Sequence, residues 1–220
     1  MASAIFDKYP IDIHCGGIDL KFPHHDNEVA QSEAYYNCNN WINYFWHTGH
    51  MNIDGLKMSK SLKNFITIKA TLENHSAKAI RMMFLIHNWS SMMTYDSDKS
   101  LTEASVKVKQ FSEFFLNVKA NLRNVNLSQS SQKWTAADKE LSAQLLQTKK
   151  NVYAALADSF NTPKAVQELS TLIGATNTYM THNSESLKEP LLKQVTAYIE
   201  FVLKSFGMPE SEEEEKVNME

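Results

Sequence analysis

Between Ile68 and Phe206 the apolar residues return at intervals of three and four, and this periodicity limits the rear of the chain to helices. Ala77 to Ile86 is strongly apolar through Ile80, Met83 and Phe84, with Ser76 available as an N-cap. Phe111, Phe115, Val118 and Leu122 repeat at helical spacing in a segment that opens near Ser100. Thr135 with Asp138 makes a weakened capping box ahead of Leu141, Leu145, Val152 and Leu156. Asn161-Thr162-Pro163 predicts a sharper start, with Thr162 at the N-cap and Pro163 at the first helical position, before Val166, Leu169, Ile173 and Met180. Pro190 opens a last helix carrying Leu192, Val195, Ile199 and Val202, which Gly207 closes. Stripes of this kind are core, not chemistry, and together they predict an antiparallel helical bundle.

The front of the chain reads differently. Ile11-Asp12-Ile13-His14 alternates as a strand that Cys15-Gly16-Gly17 is expected to break, and a helix is expected to open near Pro23. Trp41 to Trp46 is aromatic and β-prone, and Met51-Asn52-Ile53 runs into a turn at Asp54-Gly55. A strand–helix–strand succession predicts α/β packing. Seven of the eight histidines precede residue 88, and Gly16, Gly17, Gly49 and Gly55 crowd the first 55 residues, so this quarter holds the loops and the site.

Composition removes several classes of function. A net charge of -3 gives no global basic field, so contacts to nucleic acid must come from local patches. No stretch approaches the roughly 18 apolar residues of a membrane span, and Met1–Pro10 has no secretory core. Two cysteines, Cys15 and Cys38, cannot build a disulfide framework, and the expectation is a reducing, cytoplasmic compartment. Glu210 to Glu220 has the composition of a solvated, disordered acidic tail.

Three short segments carry chemistry. "HHDNE", residues 24–28, places His24 and Glu28 four apart, and an imidazole and a carboxylate at that spacing can share a Zn²⁺; a solvated first helical turn reads equally well. "HCGGIDLKF", residues 14–22, offers Gly16 and Gly17 for close backbone approach to a ligand and Asp19 as an acceptor for a ribose hydroxyl, although Gly-Gly also marks simple turns. "GLKMSKSLKN", residues 55–64, sets three lysines among small hydroxyls, which suits either a polyphosphate or a solvated loop.

Taken together these segments resemble a known family. "KMSKS" at 57–61 is similar to the nucleotide loop of class I aminoacyl-tRNA synthetases. With "GGIDLKFPHHDNEVAQSEA" before it and "DSFNTP" at 158–163, the chain resembles cysteinyl-tRNA synthetase of the eukaryotic cytosolic type from about residue 9 to about residue 206. The resemblance implies an α/β plus all-α chain: the C-terminal part of a Rossmann-type catalytic domain (1–67), a helical connector (68–99), a tRNA-contacting bundle (100–206) and the acidic tail (207–220). It implies ATP, with Mg²⁺, held by Gly16, Gly17, Asp19, Lys57, Met58, Ser59, Lys60 and Ser61, with Lys57 and Lys60 catalytic. It implies Zn²⁺ at His24 and Glu28, holding the thiolate of L-cysteine, and tRNA(Cys) as the acceptor. A Zn–S bond of about 2.3 Å tests for a soft ligand in a way that a hydroxyl fails.

The family's upstream phosphate motif "HIGH" does not occur in residues 1–220, and two zinc-ligand cysteines are expected before Met1. The resemblance gives no ligand role to Cys15 or Cys38. The expectation is therefore a fragment of a longer enzyme, inactive alone. Two other readings stay open at this stage: a related adenylate-forming ligase that joins cysteine to an amino sugar, and a non-enzymatic RNA-binding helical module.

Overall fold

Strand β1 (Ile11–Gly17) continues three residues beyond its expected end at His14, because Cys15, Gly16 and Gly17 stay extended and pair with a neighbour. The computed structural model describes residues 5–6, 10–53, 56–58, 65–123 and 133–208. The chain folds as two units, residues 1–67 with 89–96, and residues 68–88 with 97–220.

In the first unit β1 pairs in parallel with β2 (Ile42–Thr48), in a register that sets His14 opposite Phe45 and Gly16 opposite His47. A short tight turn at Ile18–Leu20 and a wide turn at Lys21–His25 lead into helix α1 (Asp26–Tyr36). The helix opens at Asp26, later than Pro23, because the wide turn takes up Lys21–His25; within it Phe22 is extended, at φ -138 and ψ 136, as a residue before proline prefers. Asn37 ends it in the left-handed conformation, and the N–H groups of Asn37 and Cys38 both donate to the Glu33 carbonyl. Strand β3 (Met51–Ile53) pairs antiparallel with β4 (Leu56–Lys57) and parallel with β5 (Met93–Tyr95).

Strand β5 departs from the all-helical connector expected over 68–99: its β-prone Met93-Thr94-Tyr95 returns to the first unit. Gly49 permits that return, since a Cβ there would overlap the Ser91 carbonyl oxygen. The Gly49 and Met93 N–H groups secure it, donating to the carbonyls of Trp89 and His50 at 2.9 Å each.

The second unit holds helices α2 (Ile68–Asn74), α3 (Ala77–Leu85), α4 (Ser97–Arg123), α5 (Ala136–Ala157), α6 (Thr162–His182) and α7 (Glu189–Ser205). Most of the periodic set read from the sequence forms its core, with Phe111, Leu145, Leu169, Ile173, Leu192 and Ile199 buried, but Phe84 is exposed and Phe114, outside that set, is buried. Ser76 caps α3 by accepting from the Ala79 N–H at 3.1 Å. At α6 the cap is Asn161, one residue before the expected Thr162, because its amide oxygen reaches the Lys164 N–H at 3.1 Å. Both halves of the Thr135–Asp138 capping box form. The Asp138 carboxylate is buried and also accepts from the Tyr179 hydroxyl at 2.7 Å, while the Lys188 N–H donates to that hydroxyl at 3.1 Å. One capping residue thereby ties the start of α5 to the end of α6 and the start of α7. The acidic tail lies outside the described residues. Among the described residues no helix is long and apolar enough to cross a membrane.

Candidate active site

Strand alternation puts His14 and Gly16 of β1 on one face with Phe45 and His47 of β2. The wide turn and the first turn of α1 bring His25 and Glu28 to the same place. His14 Nε2 lies 3.0 Å from Glu28 Oε2, and His25 Nδ1 lies 2.9 Å from His47 Nε2. The His14 ring is 4.6 Å from that of His25 and stands edge-on to Phe45 at 5.6 Å, while Phe45 stacks on His47 at 5.9 Å. His25 is 3% exposed, and burial first, then His14 and His47, push its pKa below the usual imidazole value.

Gly16 makes room for that ring. A Cβ there would sit 2.8 Å from His25 Cε1 and 3.1 Å from its Nε2. The space opened by the first glycine of the pair is filled by the protein's own histidine. At Gly17 a Cβ would meet Asp19 Oδ1 at 2.5 Å, and that carboxylate oxygen lies 3.2 Å from His50 Nε2.

The ligand atoms of His14, His25 and Glu28 all lie within 4.8 Å of one another. Two imidazoles and one carboxylate are a donor set that suits Zn²⁺. His24, which sequence spacing pairs with Glu28, is exposed and outside this group, with its ring 5.5 Å from that of His25. It lies in the wide turn, where the phase differs from a regular helix, and His25 is the one turned toward the strands. Cys15 is exposed and, by strand alternation, faces away from His14. Beside the cluster Lys21, Asp26, Val29, Phe45 and the His25–His47 pair line an open cleft of about 300 Å³.

The sequence reading overlooked His14, His25, Phe45 and His47 as a group. The available signal was the two-residue spacing of His14 with Gly16 and of Phe45 with His47, which becomes a site only when β1 and β2 pair in parallel. In the lysine segment, β4 pairs Lys57 with Asn52, and the Met58 N–H donates to the Met51 carbonyl at 3.0 Å. The Lys57 side chain and Asp54, Gly55, Ser59, Lys60 and Ser61 lie outside the described residues.

Residues 1–106 match the family described as tRNA synthetases class I (C), catalytic domain. A protein of Dictyostelium discoideum named cytoplasmic cysteine–tRNA ligase is 48% identical over 91% of this chain and 31% of its own length. Proteins of the same name from Gallus gallus and Homo sapiens are 42% and 43% identical over 97% and 92% of this chain, and 29% and 27% of their own. The chain thus spans less than a third of the length of these relatives.

Among solved structures, the ternary complex of Agrobacterium radiobacter K84 agnB2 LeuRS with tRNA and LeuAMS superposes with a TM-score of 0.68 at 18% identity, over 90% of this chain and 26% of the other. Mycobacterium tuberculosis methionyl-tRNA synthetase bound to methionyl-adenylate gives 0.64 at 17% identity, over 87% of this chain and 39% of the other. The fold is that of class I synthetases, and the identity to sequence relatives extends past the matched domain into the helical unit. Residues 1–106 thus match the class I tRNA synthetase catalytic domain, and over more than nine-tenths of its length the chain is similar to proteins named cytoplasmic cysteine–tRNA ligase.

Proposed function

We propose that the protein carrying this segment is a cytoplasmic cysteine–tRNA ligase, which activates L-cysteine with ATP and Mg²⁺ to cysteinyl-adenylate and transfers it to tRNA(Cys). The carrying observation is identity of 42–48% over 91–97% of the chain to proteins of that name. In this reading Gly17, Asp19 and the 57–61 loop face ATP; Gly16, expected with them, has its side-chain face occupied by the His25 ring. Lys57 and Lys60 meet the charge that moves onto pyrophosphate as the adenylate forms, with Met58, Ser59 and Ser61 beside them. The helices of the second unit form an antiparallel bundle that contacts the tRNA.

Glu28 and His24 supply two of the four donors that Zn²⁺ normally takes, and the remaining donors are thiolates from outside this segment. The bound metal would supply a soft Lewis acid that ligates a thiolate and discriminates against serine. The protein's own contribution is to place Glu28 and wall the site with Phe45. That a carboxylate of the expected pair is already engaged by an imidazole supports a site built for charge at Glu28.

The test is Lys60→Ala in the full-length protein. Pyrophosphate exchange should fall on the order of 10²–10³-fold with little change in cysteine affinity, the usual cost of one deleted charge-stabilising donor. An unchanged exchange rate would remove Lys60 from the chemistry. Charging an amino sugar while leaving tRNA uncharged would move the acceptor to the related ligase.

A further inference from the structure

His14 is given no role by the reading above, yet it makes the closest contact to the one proposed metal ligand whose carboxylate is already engaged. Its Nε2 is 3.0 Å from Glu28 Oε2, with the two side chains 25% and 27% exposed. An ionised carboxylate only accepts, so Nε2 is the nitrogen that carries the proton in this pair. To ligate a cation through Nε2, His14 would have to release both that proton and Glu28. The contact therefore favours His14 as a holder of Glu28 over His14 as a ligand.

The ring is itself held. His25 packs against it at 4.6 Å, Phe45 meets it edge-on at 5.6 Å, and His25 is fixed in turn by His47 Nε2 at 2.9 Å and by the bare backbone of Gly16. A donor locked in this way orders the carboxylate before any ligand arrives, which lowers the rotamer entropy lost on binding.

We propose that His14 is the positioning residue of Glu28: its Nε2–H fixes Oε2, so that Oε1 is the oxygen presented to the metal. This rests on the reading of Glu28 and His24 as Zn²⁺ ligands. A partner of this kind commonly alters metal affinity by about 10–100-fold when removed.

The experiment compares His14→Ala, His14→Asn and His14→Gln in the full-length protein. Zn²⁺ affinity is read by competition with a chromogenic chelator, cysteine and ATP KM by pyrophosphate exchange, and folding by circular dichroism. Gln carries an amide N–H to about the reach of Nε2, whereas Asn mimics only Nδ1 and falls short. Ala and Asn should still bind one Zn²⁺ at saturation but about 10–100-fold more weakly, with a raised cysteine KM and an unchanged ATP KM. Gln should restore most of the affinity. If Ala does not fold, the contrast between Gln and Asn decides.

Parent-like affinity in all three variants, or equal loss in Asn and Gln, overturns the positioning role, because a packing role would not distinguish the two amides. The underlying reading fails separately. If His24→Ala keeps stoichiometric zinc while His25→Ala loses it, the metal sits on His14, His25 and Glu28 themselves, and both the ligand assignment and this role for His14 are wrong. If His24→Ala loses zinc while the His14 variants match the parent, only the inference about His14 falls.

Discussion

The imidazole of His25 lies against the backbone of Gly16, so close that the smallest side chain at residue 16 would come within 2.8 Å of Cε1. A glycine that the sequence offers to a ligand is used to seat a buried histidine. The two residues are neighbours because β1 carries one, the wide turn carries the other, and His47 on β2 holds the ring from the second side.

Gly16→Ala should destabilise the first unit by about 1–3 kcal/mol, the usual cost of overpacking against groups that cannot move away. Gly17→Ala should cost less, since its added Cβ meets the end of the flexible Asp19 carboxylate instead of a buried ring. Urea unfolding followed by tryptophan fluorescence compares the two. Equal losses would mean that His25 shifts without strain.

Tyr179→Phe should cost the helical unit about 1–3 kcal/mol, because it strands a buried Asp138 oxygen and the Lys188 N–H, both of which the hydroxyl now satisfies. Burial, followed by the Asp138 carboxylate, holds the Tyr179 phenol well above its usual value. With the folded pKa raised, this contribution is intact below about pH 10 and declines as the unfolded tyrosine ionises first. The Phe variant should show a smaller alkaline loss in thermal melts.

Glu168 governs part of the acid limb. Its Oε2 accepts from Asn151 at 2.9 Å and its Oε1 pairs with Lys164 at 2.8 Å. The Asn151 hydrogen bond first, and Lys164 next, depress its pKa below the usual 4.5. A depressed folded pKa contributes stability that is present above 4.5 and lost as pH falls through the lowered value. Glu168→Gln should flatten that loss in a pH series of melting temperatures, and an unchanged acid limb would remove Glu168 as its source.

For tRNA, Lys119 and Arg123 are the basic positions of α4 to neutralise. Both are exposed and sit four apart, whereas Lys107 reaches Ser170 at 3.4 Å and Lys109 pairs with Glu113 at 3.7 Å. If each meets a phosphate, the slope of log K on log[salt] should shrink by roughly 1–2 in the double Gln variant. An identical slope would place the tRNA on another face.

Local chemistry in the chain was sufficient to specify the helical unit. The spacing of Phe111 to Val118 and of Val166 to Met180, with caps at Ser76 and Thr135, states which residues are buried and where helices begin, because helical period and capping act over a few residues. The errors were equally local: Asn161 displaced Thr162 as the cap by one position, and the wide turn over Lys21–His25 delayed α1. What the sequence could not state was which residues meet. His14, His25, Glu28 and His47 come from two strands and a turn spread over 34 positions, and only the parallel register of β1 with β2 joins them. Strand β5 is the same case, since three β-prone residues pair with β3 only where Gly49 lets a distant backbone pass. Periodicity belongs to a segment and can be read along it; strand pairing and the space a glycine leaves belong to two segments at once, and only tertiary structure brings those together.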